Sequence, residues 1–79
     1  MGFNPPVTVS TAKPGGRFRC NNVEGAAREL MEWQNRGVMW NHAVRACTSC
    51  LAGEMTTEDV RKAFIAAADE EGKLLADQH

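Results

Sequence analysis

Two apolar rhythms, separated by glycines, set the limits on how this chain folds. Up to Cys20 apolar and polar residues alternate. From Val23 onward apolar residues recur at intervals of three and four, in three stretches that run out at Gly37, Gly53 and Gly72. A period of two belongs to a strand with one buried face, and a period near 3.6 to a helix with one buried stripe. A chain that passes once from the first rhythm to the second is expected to be α+β.

The alternating stretches are Val7-Thr8-Val9-Ser10 and Arg17-Phe18-Arg19-Cys20, with the turn-forming Ala12-Lys13-Pro14-Gly15-Gly16 between them. They predict an antiparallel hairpin over about 7–20, with Val7, Val9, Phe18 and Cys20 on one face. Thr8, Ser10, Arg17 and Arg19 fall on the other. A lone hairpin is marginal in water, so its apolar face must be covered. Three helices are predicted to do this, over about 23–35, 39–52 and 57–71. Val23, Ala26, Ala27, Leu30 and Met31 form the first stripe, with Asn21 or Asn22 as N-cap and Gly37 as the stop. Trp40, Ala43, Val44, Cys47, Cys50 and Leu51 form the second, stopped by Gly53. Thr56 caps the third with Asp59 three residues on; Val60, Ala63, Phe64, Ala67 and Ala68 make its stripe, and Gly72 ends it. Leu74 and Leu75 fit either a short third strand or an irregular end. No repeat or linker divides the 79 residues, so one small domain is expected.

Several of these residues stand in a familiar order. Val7-x-Val9 is followed by Ala26-Ala27-x-x-Leu30 and Trp33-x-x-x-Gly37-x-x-Trp40. Then come Ala43-x-x-x-Cys47, Leu51-x-Gly53 and Ala63-Phe64-Ile65-x-Ala67-Ala68. The run resembles the bacterial family known as domain of unknown function 982 (DUF982), from the first strand to Gly72. The chain departs from that pattern at Gly25, where a more helix-favouring residue is usual, and at Cys50, where a small apolar residue is usual. The resemblance implies a small soluble α+β protein, and it carries over no activity and no site residues.

Composition excludes some partners. The net charge of −1 and pI near 6.1 argue against a basic nucleic-acid tail or a polybasic membrane anchor. The longest apolar run, Phe64 to Ala68, falls far short of the roughly 20 residues that span a bilayer. Three cysteines cannot all pair within one chain, which speaks against a disulfide scaffold. Met1 to Pro6 has neither the charged nor the apolar region of a secretory signal, so the expected address is a reducing cytoplasm. A domain this small gains from self-association.

The chemistry-bearing residues are few. A redox Cys-x-x-Cys places its leading thiol at a helix N-terminus, where free N–H groups favour thiolate. Cys47-Thr48-Ser49-Cys50 instead lies late in the second helix on its apolar stripe, and reads as packing. A zinc site would join Cys20, Cys47 and Cys50 with His42, yet His42 falls on a different side of the helix from Cys47. No metal and no cofactor is expected. No nucleophile elbow surrounds Ser10 or Ser49, and the carboxylates of the third helix read as caps and a solvated face, so no enzyme is expected. Lys13-Pro14-Gly15-Gly16-Arg17 lacks the P-loop pattern and reads as a hairpin turn.

Two surfaces then compete. A non-enzymatic interaction module, binding a protein partner or a second copy, would use the hairpin edge or an apolar patch. Its candidate residues are Trp33, Trp40, Met39, Arg17 and Arg19, with core packing the favoured role for the two tryptophans. The alternative is a small nucleic-acid-binding regulator. It would use Asn41, His42 and Arg45 on the polar face of the second helix, with Arg17 and Arg19 adding contacts. Residues 1–50 carry a net +3 and residues 51–79 a net −4. The acidic third helix therefore weighs against nucleic acid.

Overall fold

A computed structural model describes residues 2–11 and 15–75. The predicted turn residues 12–14, the lysine of the Lys13–Arg17 segment among them, and the tail beyond Leu75 lie outside the described residues. Five elements follow in order: β1 (Gly2–Ser10), β2 (Arg17–Asn22), α1 (Val23–Leu30), α2 (Val38–Leu51) and α3 (Thr57–Glu70).

β1 and β2 pair antiparallel, with Val7 opposite Cys20 and Val9 opposite Phe18. This is the expected face assignment: Val7, Val9 and Cys20 are buried and Phe18 is half-buried, while Arg17 and Arg19 are exposed. β1 begins five residues before the expected start at Val7, because the chain resumes pairing at Gly2 after a bulge. Pro5 and Pro6 sit in that bulge, where no N–H is asked of them. Beyond it Phe3 turns inward, 6.2 Å from the Phe64 ring, and Arg61 of α3 donates to the Pro5 carbonyl at 2.8 Å.

Leu74 returns beside β1 as a single antiparallel bridge to Val9. Ser10 donates its N–H to the Lys73 carbonyl at 2.8 Å, and Leu75 donates to Thr8 at 3.1 Å. β1 is therefore central, flanked by β2 on one side and by the 73–75 segment on the other.

The helices form two layers. α1 packs on β2 and α3 on β1, and α2 packs on α3 and α1. The buried stripe of α2 beyond Trp40 is Ala43, Ala46, Cys47 and Cys50, and α3 offers Ala63, Ala67 and Ala68 around Phe64. Side chains this small let the helices approach closely. Met31 and Leu51, expected on buried stripes, are 49% and 52% exposed. Each lies at a helix end, where the stripe has already run past its neighbour.

Two glycines end helices as expected. Gly53 (φ +82°) and Gly72 (φ +69°) are left-handed C′ residues. Gly53 and Glu54 donate to Cys50 and Ser49, and Gly72 and Lys73 to Asp69 and Ala68, two Schellman closures. Gly37 does not end α1. It is the N-cap of α2 with φ −78°, and its role is steric: a Cβ there would fall 2.6 Å from a carboxylate oxygen of Glu70. α1 stops at Leu30, well before 35, as Met31, Glu32 and Trp33 make tighter i→i−3 hydrogen bonds. Its open carbonyl ends are filled from downstream. Arg36 donates to Met31 and Trp33, each at 3.2 Å, and the Trp40 indole to Leu30 at 2.7 Å.

Candidate functional site

The tryptophans hold the α1–α2 connection to the core. Trp33 is 2% exposed, stacks on Phe64 at 5.5 Å, and donates its indole N–H to Glu29 at 3.1 Å. Trp40 is 8% exposed and lies 4.7 Å beneath the Arg36 guanidinium. Both therefore drop out of the candidate surface. Large flat rings with one N–H each are buried well once that N–H finds an acceptor, and here each does. Met39 is half-buried, and its backbone N–H donates to the Glu70 carboxylate at 3.1 Å. Glu70 so caps α2 across the helical hairpin, placing an anion at a helix N-terminus whose own Gly37 has no side chain to offer. The neighbouring Glu71 carboxyl has neither oxygen hydrogen-bonded, and burial pushes its pKa up against the pull of Lys73 and Arg36.

All three cysteines are buried and none forms a disulfide, the packing role expected of Cys47 and Cys50. Burial pushes Cys20 and Cys47 up to about 11, far from the thiolate a redox pair needs. His42 is exposed and does not join them. Among the described residues no group of three His, Cys, Asp or Glu is arranged to hold a metal ion, and no helix is long and apolar enough to cross a membrane.

Asn41, His42 and Arg45 are exposed on α2, with Asn41 donating its amide to the Gly37 carbonyl at 3.0 Å. Arg17 and Arg19 are exposed on β2, where Arg17 lines a shallow pocket with Glu29, Glu32 and Trp33 and Arg19 a groove with Glu24 and Arg28. His42 lines a separate pocket between α2 and α3, with Met39, Met55 and Asp59. The fold does not bring Asn41, His42 and Arg45 together with Arg17 and Arg19.

Among the described residues, one edge of the sheet remains open. On β1 the even residues Thr8 and Ser10 bond the 73–75 segment, so odd residues Val7 and Val9 face β2. Their partners Cys20 and Phe18 complete those bonds. In an antiparallel ladder the intervening residues Arg17 and Arg19 then turn their backbone N–H and C=O groups outward, whereas Asn21, opposite the bulge, has its carbonyl beside Gly2 of β1. Alongside this edge runs an open groove between β2 and α1, lined by Phe18, Arg19, Asn21, Glu24, Gly25 and Arg28. Asn22, rather than Asn21, caps α1, accepting the Gly25 N–H on its side-chain oxygen. A Cβ at Gly25 would sit 3.0 Å from the Asn22 Oδ1 that caps α1 and 3.5 Å from the tip of the Phe18 ring, so the missing methyl above all leaves room for the cap. The sequence marks Gly25 as unusual for a helix; only the fold shows that it faces Phe18.

The family described as Protein of unknown function (DUF982) matches residues 5–75. That span runs from the bulge of β1 to the bridge that closes its far side, and the chain belongs to this family. No curated protein and no solved structure matches the chain.

Proposed function

We propose that this DUF982 protein is a non-enzymatic protein-interaction module that accepts an extended segment of a partner as a further strand on the edge of β2. The observation that carries this reading is the outward-turned backbone of Arg19 in the middle of β2, on a sheet whose opposite edge is closed by Leu74. An unpaired edge is a template for another chain, and main-chain hydrogen bonds supply the affinity. Burial of both tryptophans supports the edge over an aromatic patch. Three buried thiols, none of them in a disulfide, suit a reducing, cytoplasmic setting.

The edge also favours a different protein over a second copy. Antiparallel pairing of β2 with itself, centred on Arg19, sets Arg19 against its own copy; centred on Phe18, it sets Arg17 against Arg19. Like charges directly opposite one another oppose pairing.

The test is hydrogen exchange on the complex isolated with its natural partner, after native mass spectrometry has given its composition. The backbone amide of Arg19 should become protected on binding. Unchanged exchange there, with protection elsewhere, removes the edge as the site. Tight binding of a short duplex that falls steeply with salt and is lost in Arg45→Ala would replace this reading with the nucleic-acid one.

A further inference from the structure

We infer that two copies of this chain associate through the outer groove between α2 and α3, with their α3 helices antiparallel and Asp59 of each copy paired with Lys62 of the other. This face shares no lining residue with the groove beside β2, so it goes beyond strand addition and does not depend on it. The groove is walled by Met39 and His42 of α2 and floored by Ala63 and Ala66 of α3. Asp59 and Lys62 stand on its α3 rim, and Met55, the residue before the Thr56 cap, also lines it. Short side chains at 63 and 66 let a second helix approach closely.

The rim charges lack partners of their own. Asp59 and Lys62 are exposed, and neither side chain has a hydrogen bond or ion pair among the described residues. The charges next to them are engaged: Glu58 with Arg61, Arg61 also with the Pro5 carbonyl, and Glu70 with the Met39 N–H. Glu54 and Asp69 lie outside the lining. A two-fold axis crossing α3 midway between Asp59 and Lys62 sets each against its opposite in the second copy, so one patch makes two ion pairs. The same axis sets Met55 against Ala66, a long, adaptable side chain into the space a short one leaves. A surface complementary to itself in both charge and size is a surface for a second copy. A domain of 79 residues has a small core, and covering a helix face adds to its stability.

The test is sedimentation equilibrium of the full chain over a range of concentrations, with circular dichroism as the check on folding. The native chain should pass from monomer to dimer as concentration rises. Asp59→Lys and Lys62→Asp should each weaken the dimer at least about tenfold, because each sets like charges against one another. Mixing these two variants should restore association as a heterodimer, since one then brings only cations to the contact and the other only carboxylates. The double variant carrying both changes should dimerise like the native chain. Both are gains that misfolding of a single variant cannot mimic. A native chain that stays monomeric at every concentration overturns the proposal. So does a dimer that both single variants form as well as the native chain, which places the contact on another face. If the single variants are monomeric and neither the mixture nor the double variant associates, the Asp59–Lys62 pairing is wrong.

Discussion

The molecule contains two hairpins, and they are finished to different degrees. In the helical one, α2 and α3, the far end of α2 closes on Gly53, Thr56 caps α3 through the Asp59 N–H, and Glu70 reaches back to cap α2. In the β-hairpin, β1 is covered on its apolar face by helices and on its far edge by Leu74, while β2 keeps an outward edge and a polar outer face. A helix satisfies its backbone internally and exposes orphan groups only at its ends, which a few side chains can answer. A strand always needs a neighbour on each side. A two-stranded sheet in a small domain is where an unfilled requirement persists, and where a partner can be recognised.

The comparison breaks most decisively at Phe64, which meets Phe3 of β1 and Trp33 of the connecting segment and so ties the two hairpins together. Phe64→Ala should cost about 3–5 kcal/mol in urea denaturation followed by circular dichroism. That rivals the whole stability of a domain this size, about 4–12 kcal/mol. A loss below about 1 kcal/mol would mean that the hairpins are stabilised independently.

Next in size is the chemistry of Cys20 in β2 and Cys47 in α2, which tests whether both hairpins are equally sealed on their inner faces. Each thiol is pushed by burial from 9.0 to about 11. At pH 8 its thiolate fraction is then about 100-fold below that of an ordinary thiol. Alkylation by iodoacetamide should be correspondingly slow in the folded protein and fast in urea; equal rates would show that the inner face opens. The sign for stability follows from the same shift. A thiol is an acid whose folded state here disfavours the anion, so its penalty is absent below pH 9 and stability falls as pH rises from 9 towards 11.

The helical hairpin's long-range cap is worth less. Gly37→Ala should push the Glu70 carboxylate aside, and Glu70→Ala should delete it; each should cost about 1 kcal/mol, the usual worth of an N-cap. Because both remove one interaction, the double variant should cost little more than either single one. Full additivity in a denaturation cycle would show that Gly37 and Glu70 act separately. Smallest of all, Arg19→Glu on the open edge should change stability by less than about 0.5 kcal/mol, since it removes no buried contact. A larger loss would mean that the edge is part of the fold rather than a surface left for binding.

The β-hairpin's two faces, two of the three helical stripes nearly to their ends, the Thr56 cap and the glycine stops at 53 and 72 were legible in the residues alone. Each is a local property, because periodicity and capping depend on neighbours within one or two turns of chain. The roles that needed the tertiary structure depend on residues far apart in sequence. Gly37 reads as the end of α1 until Glu70, 33 positions later, is seen against it. Gly25 reads as a weak helix residue until Phe18 is found beneath it. Trp33 and Trp40 are favoured for the core by pattern, but the groups that seat them there, Glu29 and the Leu30 carbonyl accepting their indole N–H groups, are visible only in the fold. The choice of open edge was likewise decided at a distance, by Leu74 bridging Val9 across the chain and leaving β2, among the described residues, without a second strand beside it. Short-range rhythm tells a chain which side chains to bury. Which neighbour they are buried against, and which edge is left without one, is fixed only when distant segments compete for the same face.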